Sequence, residues 1–136
     1  MRYLLDTNVC IEIINGRPAK VRERFQTTVR ADADLFVSSV TSFELWYGAE
    51  KSDRKEFNRR RVETFFAGPL QVLQLEEDDA RRAGEVRAAL EAQGKPIGPY
   101  DTLIAGQALH RGLSLVTANV REFSRVKGLR LENWTR

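Results

Sequence analysis

The run Tyr3-Leu4-Leu5-Asp6-Thr7-Asn8-Val9-Cys10-Ile11-Glu12-Ile13-Ile14 decides the architecture of this chain. Tyr3-Leu4-Leu5 reads as a short buried strand beginning almost at the first residue. Asp6, Thr7 and Asn8 are helix-capping types. Val9, Cys10, Ile13 and Ile14 then recur with helical spacing. A strand that passes directly into an amphipathic helix is the first half of a strand–helix–strand unit.

Working outward, the same alternation continues. Asn15-Gly16-Arg17-Pro18 stops the first helix and starts a second, which runs to about Arg30. Leu35-Phe36-Val37 is a second apolar strand, and Ser38-Ser39 and Thr41-Ser42 offer caps for a helix to about Lys51. A helix over 53–67 ends at Gly68-Pro69, and Leu70 to Leu75 reads as a third strand. Glu76-Glu77-Asp78-Asp79 places negative charge at the start of a helix reaching about Gln93, where the helix dipole favours it. After the loop 94–99, Tyr100 to Arg111 is helical and closed by Gly112. Leu113 to Thr117 is a fourth strand, and Leu129-Arg130-Leu131 is a candidate fifth. The pattern predicts one α/β domain over 1–136, with a mainly parallel central sheet of four to five short strands flanked by helices.

Composition agrees with an ordinary globular domain: 136 residues, 42% hydrophobic and 30% charged. That length supports a real core without disulfide staples. Cys10 is the only cysteine, which excludes an intramolecular disulfide and a thiolate zinc cage. No signal-like apolar run and no membrane-length segment occurs, so a cytoplasmic protein with no membrane partner is expected. The net charge of +3 is small. Its distribution is informative: from His110 onward, Arg111, Arg121, Arg125, Lys127, Arg130 and Arg136 outnumber Glu122 and Glu132. This C-terminal group is the better candidate for phosphate contact. Lys51, Arg54, Lys55, Arg59, Arg60 and Arg61 are interleaved with Asp53, Glu56 and Glu63 and read as a solvated helix face.

Three carboxylates border or interrupt apolar segments: Asp6 after the first strand, Glu44 among Val40, Phe43 and Tyr47, and Asp101 before Leu103-Ile104-Ala105. An isolated ionised carboxylate in such surroundings is costly unless something pairs with it. Taken singly, each has a plain explanation. Asp6 suits a helix N-cap, Asp101 suits a helix's first turn, and Glu44 suits a pair with a buried arginine. Taken together they point elsewhere. Val40, Phe43, Glu44 and Tyr47 fall at i, i+3, i+4 and i+7, which predicts a core-facing Glu44. Asp6, Thr117-Ala118-Asn119 and the start of the Asp101 helix all fall at the carboxyl edge of the predicted sheet, where such folds bind ligands. A divalent cation is the simplest agent that makes clustered carboxylates favourable.

Other chemistries fit poorly. His110 is the only histidine, so a two-histidine metal-free ribonuclease site is impossible. No glycine-rich phosphate loop occurs, and Ser38-Ser39 lack the glycines of a nucleophile elbow. Cys10 falls on an apolar helix face and reads as core.

Four blocks carry a family resemblance: Tyr3 to Asn8, Ser39 to Leu45, Ile97 to Ala105, and Leu115 to Phe123. In this order and spacing they resemble the PIN-domain ribonucleases, specifically the VapC toxins of bacterial toxin–antitoxin pairs. The tail from Val126 to Trp134 is similar to the branch that cleaves initiator tRNA. The resemblance implies a hydrolase, a metal-dependent endoribonuclease in which Asp6, Glu44 and Asp101 are catalytic and bind Mg²⁺ or Mn²⁺. It implies a metal-activated water as nucleophile, with Glu44 helping to accept its proton. Thr7 and Thr117 would orient carboxylates or water. Asn119 stands where many PIN domains have a fourth acid; its amide brings no charge, and Glu122 does not occupy that position of the motif. The implied partners are RNA, a VapB-type antitoxin lying in a groove near the acids, and a second copy in a homodimer. Two other readings share the α/β pattern: a receiver-like signalling domain, which wants paired acids after the first strand, and a non-catalytic RNA-binding domain, which would not need Glu44.

Overall fold

The computed structural model describes residues 1–135. Five strands form one sheet: β1 (Arg2–Leu5), β2 (Asp34–Ser38), β3 (Gln71–Leu73), β4 (Ser114–Val116) and β5 (Leu131–Glu132). All pairings are parallel and the spatial order is β3-β2-β1-β4-β5. The expected α/β architecture and both helix-flanked faces are therefore present, and the fifth strand forms at Leu131–Glu132, sharing only Leu131 with the expected Leu129-Arg130-Leu131. The helices are α1 (Thr7–Asn15), α2 (Ala19–Arg30), α3 (Ser39–Glu50), α4 (Lys55–Phe66), α5 (Glu77–Ala92), α6 (Pro99–Arg111) and the short α7 (Val120–Phe123).

Side chains alternate across the sheet. Tyr3, Leu5, Leu35 and Val37 point to one face, where they pack with Val9, Ile13, Val21, Leu45, Phe65 and Trp134. Leu4 and Phe36 point to the other, against Leu90, Ile104, Ala108, Leu115 and Phe123. Each fully buried Leu or Val stabilises by roughly 2 kcal/mol relative to exposure, so β1 is held from both sides. Cys10 is fully buried in the first layer, as expected of a core thiol.

Local chemistry sets the element ends. Gly16 closes α1 at φ 71°, a left-handed conformation that glycine adopts without Cβ strain. The Arg22 guanidinium then donates to the carbonyls of Ile13 and Ile14, placing a cation at the negative end of α1. On the opposite face, α5 and α6 pack at Gly106, where an added Cβ would lie 2.6 Å from the Ala83 backbone. Arg111 at the end of α6 donates twice to Asp79, which is fully buried near the start of α5.

Candidate active site

Strand order places the site. β1 has β2 on one side and β4 on the other, and the chain leaves both β1 and β4 at the same edge of the sheet. The crevice beyond two such strands is the usual ligand position of an open parallel sheet. The β1–β4 register pairs Leu5 with Val116, so Asp6 and Thr117 come level one step further on.

Asp6 is only 3% exposed. It is the N-cap of α1, accepting from the Thr7 amide at 2.7 Å, and its second carboxylate oxygen accepts from the Thr117 hydroxyl at 2.8 Å. The capping explanation and the site explanation thus coincide on one side chain. Burial raises the Asp6 pKa, the bonds from Thr117 and Thr7 pull it back, and the Glu44 charge raises it; the net displacement is upward.

Thr7 links Asp6 to Glu44. Its hydroxyl donates to Glu44 Oε1 at 2.7 Å and lies 2.9 Å from the Thr41 hydroxyl. Because Thr7 has one hydroxyl proton, Thr41 is the donor in the second bond. Asp101 sits in the first turn of α6 with its carboxyl pushed up to about 6, by burial first and then by the charges of Asp6, Glu44 and Glu122. Asn119 contributes through its main chain, its amide donating to the Thr117 hydroxyl at 2.9 Å. The three predicted acids and their three polar neighbours therefore meet at one edge of the sheet.

One correction and two further observations accompany that agreement. Glu44 does not face the core: the buried residues of α3 are Val40, Thr41, Leu45 and Ala49, whereas Phe43 and Tyr47 are exposed. An all-round apolar helix offers no polar stripe from which its orientation can be read. Part of the C-terminal basic group makes structural contacts. Arg111 binds Asp79, Arg125 binds the Pro96 carbonyl and Arg130 binds the Gly112 carbonyl; Arg136 lies outside the described residues. Glu122, set aside in the sequence, is close enough for its charge to raise the Asp101 pKa.

Sequence reasoning also missed two residues. Thr41 is buried and completes the hydroxyl chain to Glu44. Glu12 has its pKa raised by burial and by Asp6, and its Oε1 is buried without a hydrogen-bond partner. An acid inside the apolar run from Val9 to Ile14 was the signal for it.

The donor set is hard oxygen, the chemistry that Mg²⁺ and Mn²⁺ prefer. Among the described residues, no three His, Cys, Asp or Glu side chains are drawn together tightly enough to ligate one ion as they stand. They are close enough to destabilise one another's charge, and a cation would relieve that strain. The residues fit such an ion in chemistry and in neighbourhood.

A parallel five-stranded sheet with acids converging at its central carboxyl edge agrees with a PIN-type domain, and the PIN domain family model matches residues 3–129. The chain belongs to that family. Its particular kin are VapC proteins. It is 47% identical to the tRNA(fMet)-specific endonuclease VapC of Shigella flexneri, covering 99% of both chains. It is 42% identical to Ribonuclease VapC2 of Haemophilus influenzae over 98% of both. The crystal structure of DNA-bound VapBC from Salmonella typhimurium superposes with a TM-score of 0.90, at 45% identity and 98% coverage of each chain. No helix among the described residues is long and apolar enough to cross a membrane.

Proposed function

We propose that this protein is a Mg²⁺- or Mn²⁺-dependent endoribonuclease, the toxin of a toxin–antitoxin pair, which hydrolyses phosphodiester bonds in RNA. The observation that carries the reading is the hydrogen-bonded chain at the carboxyl edge of β1, where Thr117 and the Thr7 amide hold Asp6 and the Thr7 hydroxyl holds Glu44, with Asp101 near enough for their charges to raise its pKa. The 47% identity to a tRNA(fMet)-specific endonuclease supports initiator tRNA as the substrate.

Asp6, Glu44 and Asp101 would hold the ion. When bound, it supplies Lewis acidity toward phosphate and lowers the pKa of a coordinated water. The chain's own residues do the rest. Thr117 and the Thr7 amide fix both oxygens of Asp6. The Thr41–Thr7 hydroxyl chain fixes one oxygen of Glu44 and leaves the other to receive a proton from an attacking water. Asp101, with its carboxyl near 6, is ionised at neutral pH and available to the ion.

A groove of about 450 Å³ between α1, α2 and α4 supports an antitoxin partner. Ile13, Phe25, Phe57 and Phe65 line it, with Arg22, Arg60 and Arg61 among its polar walls. Ile14 and Arg61 also wall a smaller depression that reaches Glu44, so a peptide in the groove has a path to the acids. That the relatives' structures are VapBC complexes favours a VapB-type occupant. The family analogy further supports a homodimer acting in the cytoplasm.

The deciding experiment is cleavage of a fluorogenic RNA by purified protein with Mg²⁺ and with EDTA. Cleavage that stops in EDTA and returns with Mg²⁺ is expected. Cleavage indifferent to EDTA removes the metal, and no cleavage under either condition favours the signalling or RNA-binding alternatives.

A further inference from the structure

On the face of the sheet opposite the groove between α1, α2 and α4, a second groove of about 460 Å³ runs along α5 from Arg82 to Gln93. Its other wall is the segment 125–128 that follows α7. The buried side chains of Val86, Leu90 and Val126 line its apolar part. Arg82, Arg125 and Lys127 line the rest, with a single acid, Glu85. Arg82 lies 3.6 Å from Glu85, and both side chains are exposed, so that contact is worth little in water. Among the described residues, no carboxylate lies within ion-pair distance of Arg125 or Lys127.

The chain itself joins this groove to the acids. α7 begins after Asn119, whose amide donates to the Thr117 hydroxyl beside Asp6. Within α7, Glu122 is near enough for its charge to reach Asp101. Arg125 follows, its amide donating to the Glu122 carbonyl at 3.1 Å. The Arg125 guanidinium then donates to the Pro96 carbonyl at 3.2 Å, in the loop that leads into α6 and Asp101. The exposed Arg121 continues the row of cations back toward Asn119. A cluster of carboxylates repels a polyanion, so a long substrate strand needs cations away from the point of cleavage. Resting on the ribonuclease reading above, we propose that the groove between α5 and the segment after α7 is a second RNA-binding site. There Arg82, Arg125 and Lys127 hold backbone phosphates of the tRNA at a distance from the scissile bond.

Charge decides the occupant. Three cations against one acid complement a polyanion, whereas an apolar polypeptide laid here would cover Arg125 and Lys127 without pairing them. Only a ligand that spans both the groove and the acids gains from cations placed at this distance, and the substrate is such a ligand. The groove between α1, α2 and α4 shares none of these walls, so an antitoxin seated there does not occupy this one.

The test measures binding of labelled initiator tRNA by fluorescence anisotropy in EDTA across a salt series, alongside light scattering and Mg²⁺-driven cleavage. The proteins are wild type, R82Q/K127Q, R82K/K127R and a control that removes equal charge from exposed positions of α2 and α4, K20Q/K55Q. Circular dichroism confirms each fold. R82Q/K127Q should bind about ten-fold more weakly, and its slope of log affinity against log salt should shrink by about two, roughly one per phosphate contact. Cleavage at limiting tRNA should fall in step. R82K/K127R and K20Q/K55Q should both bind as wild type does. Wild-type affinity and slope in R82Q/K127Q overturn the proposal, and so does an equal loss in K20Q/K55Q, which reduces the effect to net charge. A change of mass in R82Q/K127Q at unchanged RNA affinity reassigns the groove to a protein interface. Where wild type cuts tRNA, such results remove the groove alone; where wild type neither binds nor cuts RNA, the ribonuclease reading falls as well.

Discussion

The Thr117 hydroxyl donates to Asp6 Oδ2 at 2.8 Å, although 111 positions separate the two residues. The bond exists because β1 and β4 are neighbours in register and both end there. It stabilises the ionised form of a carboxylate that burial pushes toward neutrality. Thr117→Val keeps the shape and removes the donor. RNA cleavage should drop about 10- to 100-fold, the usual effect of losing a group that orients a metal ligand, and Thr117→Ser should restore most of it. Steady-state rates decide the matter; an unimpaired valine variant would leave Thr117 no orienting role.

How much of this site was legible in the sequence depends on locality. Asp6 stood out because a strand, a cap and a helix meet within a few residues. Asp101 stood out because a loop ends beside it. The facing of Glu44 was not legible, since Phe43, Trp46 and Tyr47 make α3 apolar on several sides and only tertiary packing decides which side is covered. Arg111 looked like a phosphate contact because its partner, Asp79, lies 32 positions away in another helix. The four residues of α7 are too few to show a period.

The pH dependence follows from Asp101. Its folded pKa of about 6 exceeds the ordinary value of 3.8, so between those values the native state binds more protons than the unfolded state. Stability contributed by this residue is therefore present at low pH and lost as pH rises through about 6. Without metal, Asp101→Asn should melt higher than wild type, with a gap that widens from pH 4 to pH 6.5. Added Mg²⁺ should raise the wild-type Tm, little below pH 5 and clearly above 6, because it binds the ionised carboxylates of the native state. Melting curves at several pH values test both signs. A gap that narrows with pH would contradict the coupled-acid cluster.

Gly106 allows α5 and α6 to approach. A methyl group there meets the Ala83 backbone at 2.6 Å and cannot be absorbed by a side-chain rotation. Gly106→Ala should cost about 1–3 kcal/mol through overpacking, despite alanine's better helix propensity. Urea denaturation measures this; a stabilised variant would mean that the helices slide apart freely.

Burial alone would raise the pKa of Asp79, but the Arg111 bonds and the Glu76 amide more than offset it and leave it lowered. Its stabilising contribution is present above the ordinary carboxylate range and lost as pH falls. Arg111→Met strips the partner from a fully buried carboxylate, and should cost about 3 kcal/mol, while RNA cleavage by the folded fraction persists. Thermal melts paired with activity per folded molecule check this. Cleavage lost without loss of stability would instead make Arg111 a substrate contact.

The central claim is that Asp6, Glu44 and Asp101 act as one site. Cleavage rates of purified Asp6→Asn, Glu44→Gln and Asp101→Asn in saturating Mg²⁺ test it most directly, with circular dichroism confirming each fold. Every variant should lose at least about 100-fold in rate, the loss of several kcal/mol of metal-assisted stabilisation. A folded variant that cuts RNA at the wild-type rate would contradict the account.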